Sequence, residues 1–323
     1  MTPSGLLRSC APTRTDPDRV RSSTMAQTAT AELERPAARS EVRPAAERLT
    51  ETRQPFDLSD ETAATVGRLG MAQNVHDMQE RGYTILRDVA PLECTEQLRA
   101  TCLRLAEETE GRAKGRSAAL LLGRDPIFED VVLRPKIQAL VEIMCGKGAL
   151  LSQLICSIRP LGAAKLPLHA DQNWLPAPFP VHNQLLTLCW ACDEFTEAGG
   201  CTKVIPGTHR LRRHPNEEEV ATEPGAIPTE CPAGSVVVWD GSIWHGNYPR
   251  VIPGERVVLH ITFSRLALRP VEDYGHLDEE WLEGKPHPLR VMLGREDFLG
   301  STTIERGHAD YTHLVRTFNW AKT

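Results

Sequence analysis

Apolar and polar residues change their rhythm twice along this 323-residue chain. Up to about Leu58 there is little amphipathic period, and the segment is rich in Arg, Ala, Pro, Thr and Glu with almost no aromatic side chains. Such a composition buries too little apolar surface to offset the entropy of ordering, so residues 1–58 are expected to form a disordered N-terminal extension. Helical spacing follows. Asp60-Glu-Thr-Ala63 reads as a helix start ahead of Val66, Leu69, Met71 and Val75. Gly82 to Asp88 reads as a strand, and Pro91 to Leu105 as a helix with Leu92, Leu98, Cys102 and Leu105 on one stripe. Pro135 to Met144 gives a further helix, stopped by Gly146. From Leu150 to Phe263 the rhythm shortens to apolar strands separated by Pro, Gly and charged turns, the texture of a β-sandwich or jelly roll. The tail carries helical stretches around Leu277 to Leu282 and Tyr311 to Trp320. The expected organisation is one mainly β domain with flanking helices over residues 59–323, its core at about 150–265 and a helical tail at 266–323.

Charge and composition narrow the function classes. A formal net charge of −6 with no Lys/Arg block argues against a nucleic-acid-binding surface. The longest apolar runs, near residues 118–123 and 184–191, fall short of the roughly 20 residues that span a bilayer, so a soluble protein is expected. Nine cysteines, an odd number placed mostly inside apolar segments, fit a reduced cytoplasmic chain. Cys189 and Cys192 form a C-x-x-C, but positions three apart on a strand face opposite ways and no second pair completes a zinc set, so core thiols are expected. The Arg and Ser/Thr content of the N-terminus fits a transit peptide, acidic residues from Asp16 onward count against one, and a later start at Met25 is the other reading.

The candidate chemistry lies in four residues. His169 and Asp171 are two positions apart, so on an extended strand both side chains leave one face. His245 follows the apolar run from Val236, which reads as a strand ending at the histidine. Two imidazoles and a carboxylate with other positions open suit Fe(II) that must still admit a co-substrate and O2. Arg256 comes 11 residues after His245 (256 − 245), across the turn-rich stretch Asn247 to Glu255, and a hairpin there would return it beside the histidine. Its planar fork can hold a carboxylate by two hydrogen bonds, and a metal triad with such a clamp points to 2-oxoglutarate. Each piece is weak alone; a lone His-x-Asp in a loop usually does nothing beyond being solvated.

Together with Gly82 to Asp88 and Glu197-Ala-Gly-Gly-Cys-Thr-Lys-Val-Ile-Pro-Gly-Thr-His-Arg210, these segments resemble the phytanoyl-CoA dioxygenase family of Fe(II)/2-oxoglutarate oxygenases, over roughly Gly82 to Phe263. The resemblance implies a double-stranded β-helix, the cupin-like jelly roll. It implies His169, Asp171 and His245 as iron ligands and Arg256 as the co-substrate arginine. Gln153 matches a family glutamine that also reaches 2-oxoglutarate, and Thr208 sits in the family's Pro-Gly-Ser/Thr-His turn as another candidate donor. Asn247 is a departure, since the family often has a small hydroxyl residue two after the distal histidine. The implied reaction is hydroxylation of a small-molecule substrate, secondary metabolites included, with release of succinate and CO2. Halogenating relatives lack the carboxylate that Asp171 supplies. Desaturation, cyclisation or epoxidation on the same scaffold, a non-enzymatic jelly-roll binding protein, and a jelly-roll enzyme using another metal without 2-oxoglutarate are the alternatives. Neither the substrate nor an oligomeric state follows from the residues.

Around these segments, Trp174 lies three residues beyond Asp171 in a Pro-rich loop and is the candidate pocket residue. Trp244 alternates away from His245 and is expected to pack. His182, His209 and His260 are expected to fill satisfied structural roles and not to bind metal, and Glu217 to Glu219 reads as a solvated face.

Overall fold

The computed structural model describes Phe56 and residues 58–108 and 116–296. All but the end of the N-terminal extension, and the helix expected at Tyr311 to Trp320, lie outside the described residues. Phe56 and Leu58 already pack against the core, so apolar contact begins just inside the stretch assigned to the extension.

Helix α1 (Asp60–Arg68) starts where Ser59 Oγ accepts from the Thr62 amide at 3.2 Å. The apolar spacing from Val66 to Val75 does not make one helix. Gly70 adopts a φ of 66°, and the chain restarts as α2 (Ala72–Arg81). Gly82 closes α2 with a φ of 77°, at a point where a Cβ would overlap the His209 ring, so both backbone and packing require glycine there. Next come β1 (Tyr83–Leu86), α3 (Leu92–Glu107) and β2 (Arg116–Ala118). Helix α4 (Pro126–Val132), capped by Asp125, has too short an apolar run to show in the sequence pattern. Helix α5 (Pro135–Cys145) ends at Gly146 as its residues suggest.

The β core then winds back and forth between two sheets. Strands β3 (Leu150–Pro160), β5 (Leu185–Ala191), β8 (Val236–Asp240) and β10 (Glu255–Ser264) join β1 and β2 in a six-stranded antiparallel sheet, ordered β1-β8-β5-β10-β3-β2. Strands β4 (Leu166–His169), β9 (Trp244–Asn247), β6 (Thr202–Ile205) and β7 (Ile227–Pro228) form a four-stranded sheet in that order. Alternation between sheets along the chain is the winding of a jelly roll. A short helix α6 (Glu217–Thr222), capped at both ends of its first turn by the Asn216–Glu219 pair, lies between β6 and β7, and α7 (Glu279–Leu282) and α8 (His287–Met292) follow the barrel.

Two expectations about connections need correcting. The run from Val236 is not one strand ending at His245: β8 stops at Asp240, and His245 lies on β9 in the other sheet. Gly241 makes the crossing possible, since a Cβ there would meet Leu185 Cβ at 2.7 Å and Leu185 O at 2.8 Å. Nor do β9 and β10 form a hairpin. Both edges of β9 are taken, by β4 and β6, so β10 has to cross to the larger sheet.

Period-two alternation gives the larger sheet two different faces. Leu186, Leu188 and Trp190 of β5 and Leu259, Ile261 and Phe263 of β10 pack with Leu98, Cys102, Phe128 and Leu140 of the helices in the main hydrophobic core. Thr187, Cys189, His260 and Gln153 face the barrel interior instead, aligned by the β8-β5-β10-β3 register. Leu188, fully buried on the helix side, has no role in that interior. Leu188→Ala is expected to lower unfolding free energy by about 2–5 kcal/mol in denaturant titration while leaving metal affinity in the surviving folded protein unchanged.

Candidate metal centre

His169 ends β4 and is in register with His245 on β9, with their ring centroids 4.3 Å apart. Asp171 lies just past the strand end, two residues on, and keeps the same face. Its Oδ1 is 3.7 Å from His169 Nε2 and 3.4 Å from His245 Nε2. Among the described residues these three form the one cluster of His, Cys, Asp and Glu that could hold a metal, with all donor atoms within 4.8 Å of one another.

The far side of each ligand is already engaged. His169 Nδ1 lies 2.9 Å from Pro167 O, and His245 Nδ1 lies 3.2 Å from Ile243 O. A carbonyl can only accept, so each Nδ1 carries the proton and each Nε2 presents its lone pair to the centre. Asp171 Oδ2 accepts from Thr187 Oγ1 at 2.8 Å and from Trp239 Nε1 at 3.0 Å, leaving Oδ1 toward the histidines. Burial raises the Asp171 pKa, but His245, His169 and these two donors outweigh it, and the net shift is downward. Burial lowers the pKa of His245, keeping that ring neutral. A deprotonated carboxylate and neutral imidazoles are the states that bind a metal. The donor set therefore fits Fe(II).

The loop behind Asp171 is fixed by Gln172, fully buried, whose amide N–H donates to Gly241 O at 3.2 Å and whose side chain donates to Ser242 Oγ. This ties the β4 end to the β8–β9 crossing, so the two halves of the triad share one support.

Arg256 is 1% exposed, and among the described residues no carboxylate pairs with it. It meets β9 across the barrel at Asn247, two residues past His245. Its Nη1 donates to Gly200 O. With the Asn247 amide oriented to satisfy both of its ends, Nη2 donates to Asn247 Oδ1 at 2.9 Å and Asn247 Nδ2 donates to Gly246 O at 3.0 Å. Its guanidinium carbon lies 4.9 Å from the Phe195 ring centroid, and Nε is buried without a partner. Burial pushes its pKa down to about 10, with the neighbouring Arg159 adding to the effect, yet the group stays cationic at neutral pH. A buried cation with an idle donor fits an anionic ligand. The Gly199-Gly200 turn serves this arrangement: a Cβ on Gly200 would lie 3.0 Å from both Tyr248 O and Arg250 N, and its carbonyl is the one that holds Arg256.

The remaining sequence candidates are placed as follows. Gln153 is half-buried and in register with Thr262, itself in register with Thr187, so it lies on the Asp171 side of the barrel and not at Arg256. Thr208 has a different task from the one the resemblance suggests: its hydroxyl donates to Ile205 O at 2.7 Å and accepts from Trp244 N at 2.9 Å, so its only proton is engaged in the turn. Asn247 orients Arg256. Trp174 is 62% exposed in the loop after Asp171. Trp244 packs, its Nε1 donating to Arg213 O at 2.8 Å. All eight described cysteines are free. Thr187, Trp239 and Gln172 are functional supports that sequence reasoning missed. The available signal was period two, which turns Thr187 and Trp239 to the face opposite the aliphatic side chains of β5 and β8.

The sequence profile of phytanoyl-CoA dioxygenase (PhyH) matches residues 78–256. Dioxygenase af480 of Aspergillus fumigatus is 28% identical over 172 residues, 52% of this chain and 55% of its own. This chain thus spans about half the length of that curated relative. Among solved structures, HygX from Streptomyces hygroscopicus with nickel and 2-oxoglutarate bound superposes with a TM-score of 0.53 at 14% identity, covering 62% of this chain and 88% of HygX. The epimerase SnoN, solved with Fe3+, alpha ketoglutarate and nogalamycin RO, gives a TM-score of 0.53 at 19% identity over 67% of this chain and 90% of its own. Both likenesses bear on the fold. The profile covers more than half of the sequence and includes the whole triad and Arg256, and the chain belongs to the phytanoyl-CoA dioxygenase family.

Proposed function

We propose that this chain is an Fe(II)/2-oxoglutarate-dependent dioxygenase that hydroxylates a small molecule, releasing succinate and CO2. The observation that carries the reading is the convergence of His169 Nε2, Asp171 Oδ1 and His245 Nε2, each with its far atom already hydrogen-bonded. These three residues would hold the iron, and the metal with its co-substrate supplies the O2 activation that no side chain can perform. Arg256 would hold the distal carboxylate of 2-oxoglutarate, with Asn247 and Gly200 fixing the guanidinium plane and Phe195 covering it. Gln153, on the Asp171 side, is a candidate for the other end. Trp174, exposed beside the triad, is the candidate aromatic wall for substrate.

The small-molecule reading has support from the fold neighbours, since HygX was also solved with hygromycin B and SnoN with nogalamycin RO. Secondary metabolites of comparable size are the substrate class to test first. SnoN is described as an epimerase, so product analysis has to separate hydroxylation from desaturation, cyclisation, epoxidation or epimerisation. The free thiols of the described cysteines suit a reducing cytoplasm. Anaerobic loading with Fe(II) and 2-oxoglutarate, followed by O2 and a metabolite panel, tests the proposal. Succinate that rises with one panel member, together with a product heavier by one oxygen, supports it. Metabolite binding with no succinate would favour a binding protein.

Asp171→Ala should lose metal binding or turnover, because two ligands hold iron far less firmly than three. Full turnover without added carboxylate would reject the triad. Thr187→Val combined with Trp239→Phe leaves the ligands in place and frees Asp171 Oδ2, so metal affinity by calorimetry should fall by about 10–100-fold, as for other supports of metal ligands. Arg256→Lys keeps the charge and removes the fork; the expected result is weaker 2-oxoglutarate binding with metal affinity near wild type. An unchanged co-substrate titration rejects the clamp.

A further inference from the structure

The inner face of the larger sheet carries a second polar cluster. Ser157 Oγ of β3 lies 2.9 Å from His260 Nε2 of β10, and Cys189 Sγ of β5 lies 3.0 Å from His260 Nδ1. Register fixes where this cluster stands. Thr187, Thr262 and Gln153 form one rung, at the Asp171 end. Cys189, His260 and Ile155 form the next, then Ala191, Val258 and Ser157, and Arg256 faces Arg159 beyond them. By that register His260 stands between the Thr187–Gln153 rung at the Asp171 end and the Arg256 rung. Ser157 and His260 are only half-buried, so this stretch of wall is open to the interior space.

We propose that Ser157, His260 and Cys189 form a hydrogen-bonded relay that presents the Ser157 hydroxyl as a donor to the distal carboxylate of 2-oxoglutarate, beside Arg256 on the same inner face of the larger sheet. The inference rests on the co-substrate reading given above.

Proton placement supplies the direction. Burial raises the Cys189 thiol well above its usual range, so the sulfur keeps its hydrogen. Burial and the Arg256 charge push His260 down to about 4, so the ring is neutral, with one donor and one acceptor nitrogen. Imidazole nitrogen is a strong acceptor and a thiol sulfur a weak one, so the better arrangement has the thiol donating to Nδ1 and Nε2–H donating to Ser157 Oγ. The serine proton is then directed elsewhere, and the open side is the interior. A carboxylate there needs such a donor: it has about four lone-pair sites, and Arg256 already gives one hydrogen each to Gly200 and Asn247. Asn247 spends one of its two amide hydrogens on Gly246 O, so from the β9 wall that side chain has a single hydrogen left to offer. Ser157 supplies one from the facing wall.

The test is calorimetric titration of 2-oxoglutarate into anaerobic Mn(II)-loaded protein, without turnover. Ser157→Ala should weaken binding by about tenfold or more, the effect of losing one hydrogen bond to a charged group. Ser157→Thr, which keeps the hydroxyl, should restore it. His260→Ala should act in the same direction. 2-Oxobutyrate, which lacks the distal carboxylate, is the control, and its binding should be indifferent to Ser157→Ala. Mn(II) affinity and melting temperature should stay at wild-type values in the serine variants. Unchanged 2-oxoglutarate affinity in Ser157→Ala alongside weakened binding in Arg256→Lys would overturn the relay and leave the co-substrate reading standing. Equal weakening for 2-oxobutyrate would also overturn it, as would a loss confined to substrate binding. If the wild-type protein itself does not bind 2-oxoglutarate, the co-substrate reading fails, and the relay with it.

Discussion

The Asp171 carboxylate is held from both sides of the barrel. One oxygen accepts from Thr187 and Trp239 of the six-stranded sheet, and the other faces His169 and His245 of the four-stranded sheet. A buried carboxylate with no partners would cost several kcal/mol, and each hydrogen bond to a charged group returns about 1.5–3 kcal/mol. Two neutral donors on Oδ2 offset much of that cost, and the net shift leaves the acid ionised despite its burial. The distance between the sheets at this point is thereby set by side chains that also aim the ligand atoms. Trp239 stacks at 4.7 Å on the His245 ring as well as donating to Asp171, so one indole orients two ligands.

Arg256 follows a different logic. A buried guanidinium is usually neutralised by an acid, yet here carbonyl and amide oxygens, with an aromatic face, are what hold it. Cation–π contact contributes about 0.5–2 kcal/mol, less than the several kcal/mol that desolvating a lone ion costs. The residual electrostatic demand stays in the site. A permanent acid at this position would satisfy the arginine and compete with any incoming carboxylate; among the described residues no acid takes that place.

Much of this was legible in the sequence, and the failures have physical causes. The i, i+2 pair His169 and Asp171 does converge, at 3.7 Å, although β4 ends at His169 and Asp171 stands in the bend that follows it. Helix α5 followed its apolar stripe and its Pro and Gly boundaries, and α3 its stripe at Leu98, Cys102 and Leu105, but Leu92, expected on that stripe, is exposed at the first turn and the helix runs on to Glu107. Connectivity between sheets was not legible. An apolar run broken by Gly241 looks like one strand, since a turn that crosses a barrel and a turn that closes a hairpin use the same residue types. The turn bonds of Thr208 were not legible either, because a motif position gives a residue type and not the direction of its proton. His260 read as a satisfied structural histidine, but its partners could not be named: Ser157 and Cys189 are 103 and 71 residues away in sequence and meet it only through strand register.

That register also dictates when the site can exist during synthesis. Arg159 pairs with Arg256 across β3 and β10, 97 residues apart (256 − 159), and β10 sits between β3 and β5. Until β10 emerges from the ribosome, β3 and β5 have no common neighbour, and the wall that carries His260 is missing. Contacts of such long sequence separation form slowly, because loop closure precedes any gain from pairing. His169 and Asp171 are made early, but the frame that aims them closes last. A nascent chain that has exposed both His169 and Asp171 therefore still lacks His245 and the strand that completes the wall behind them.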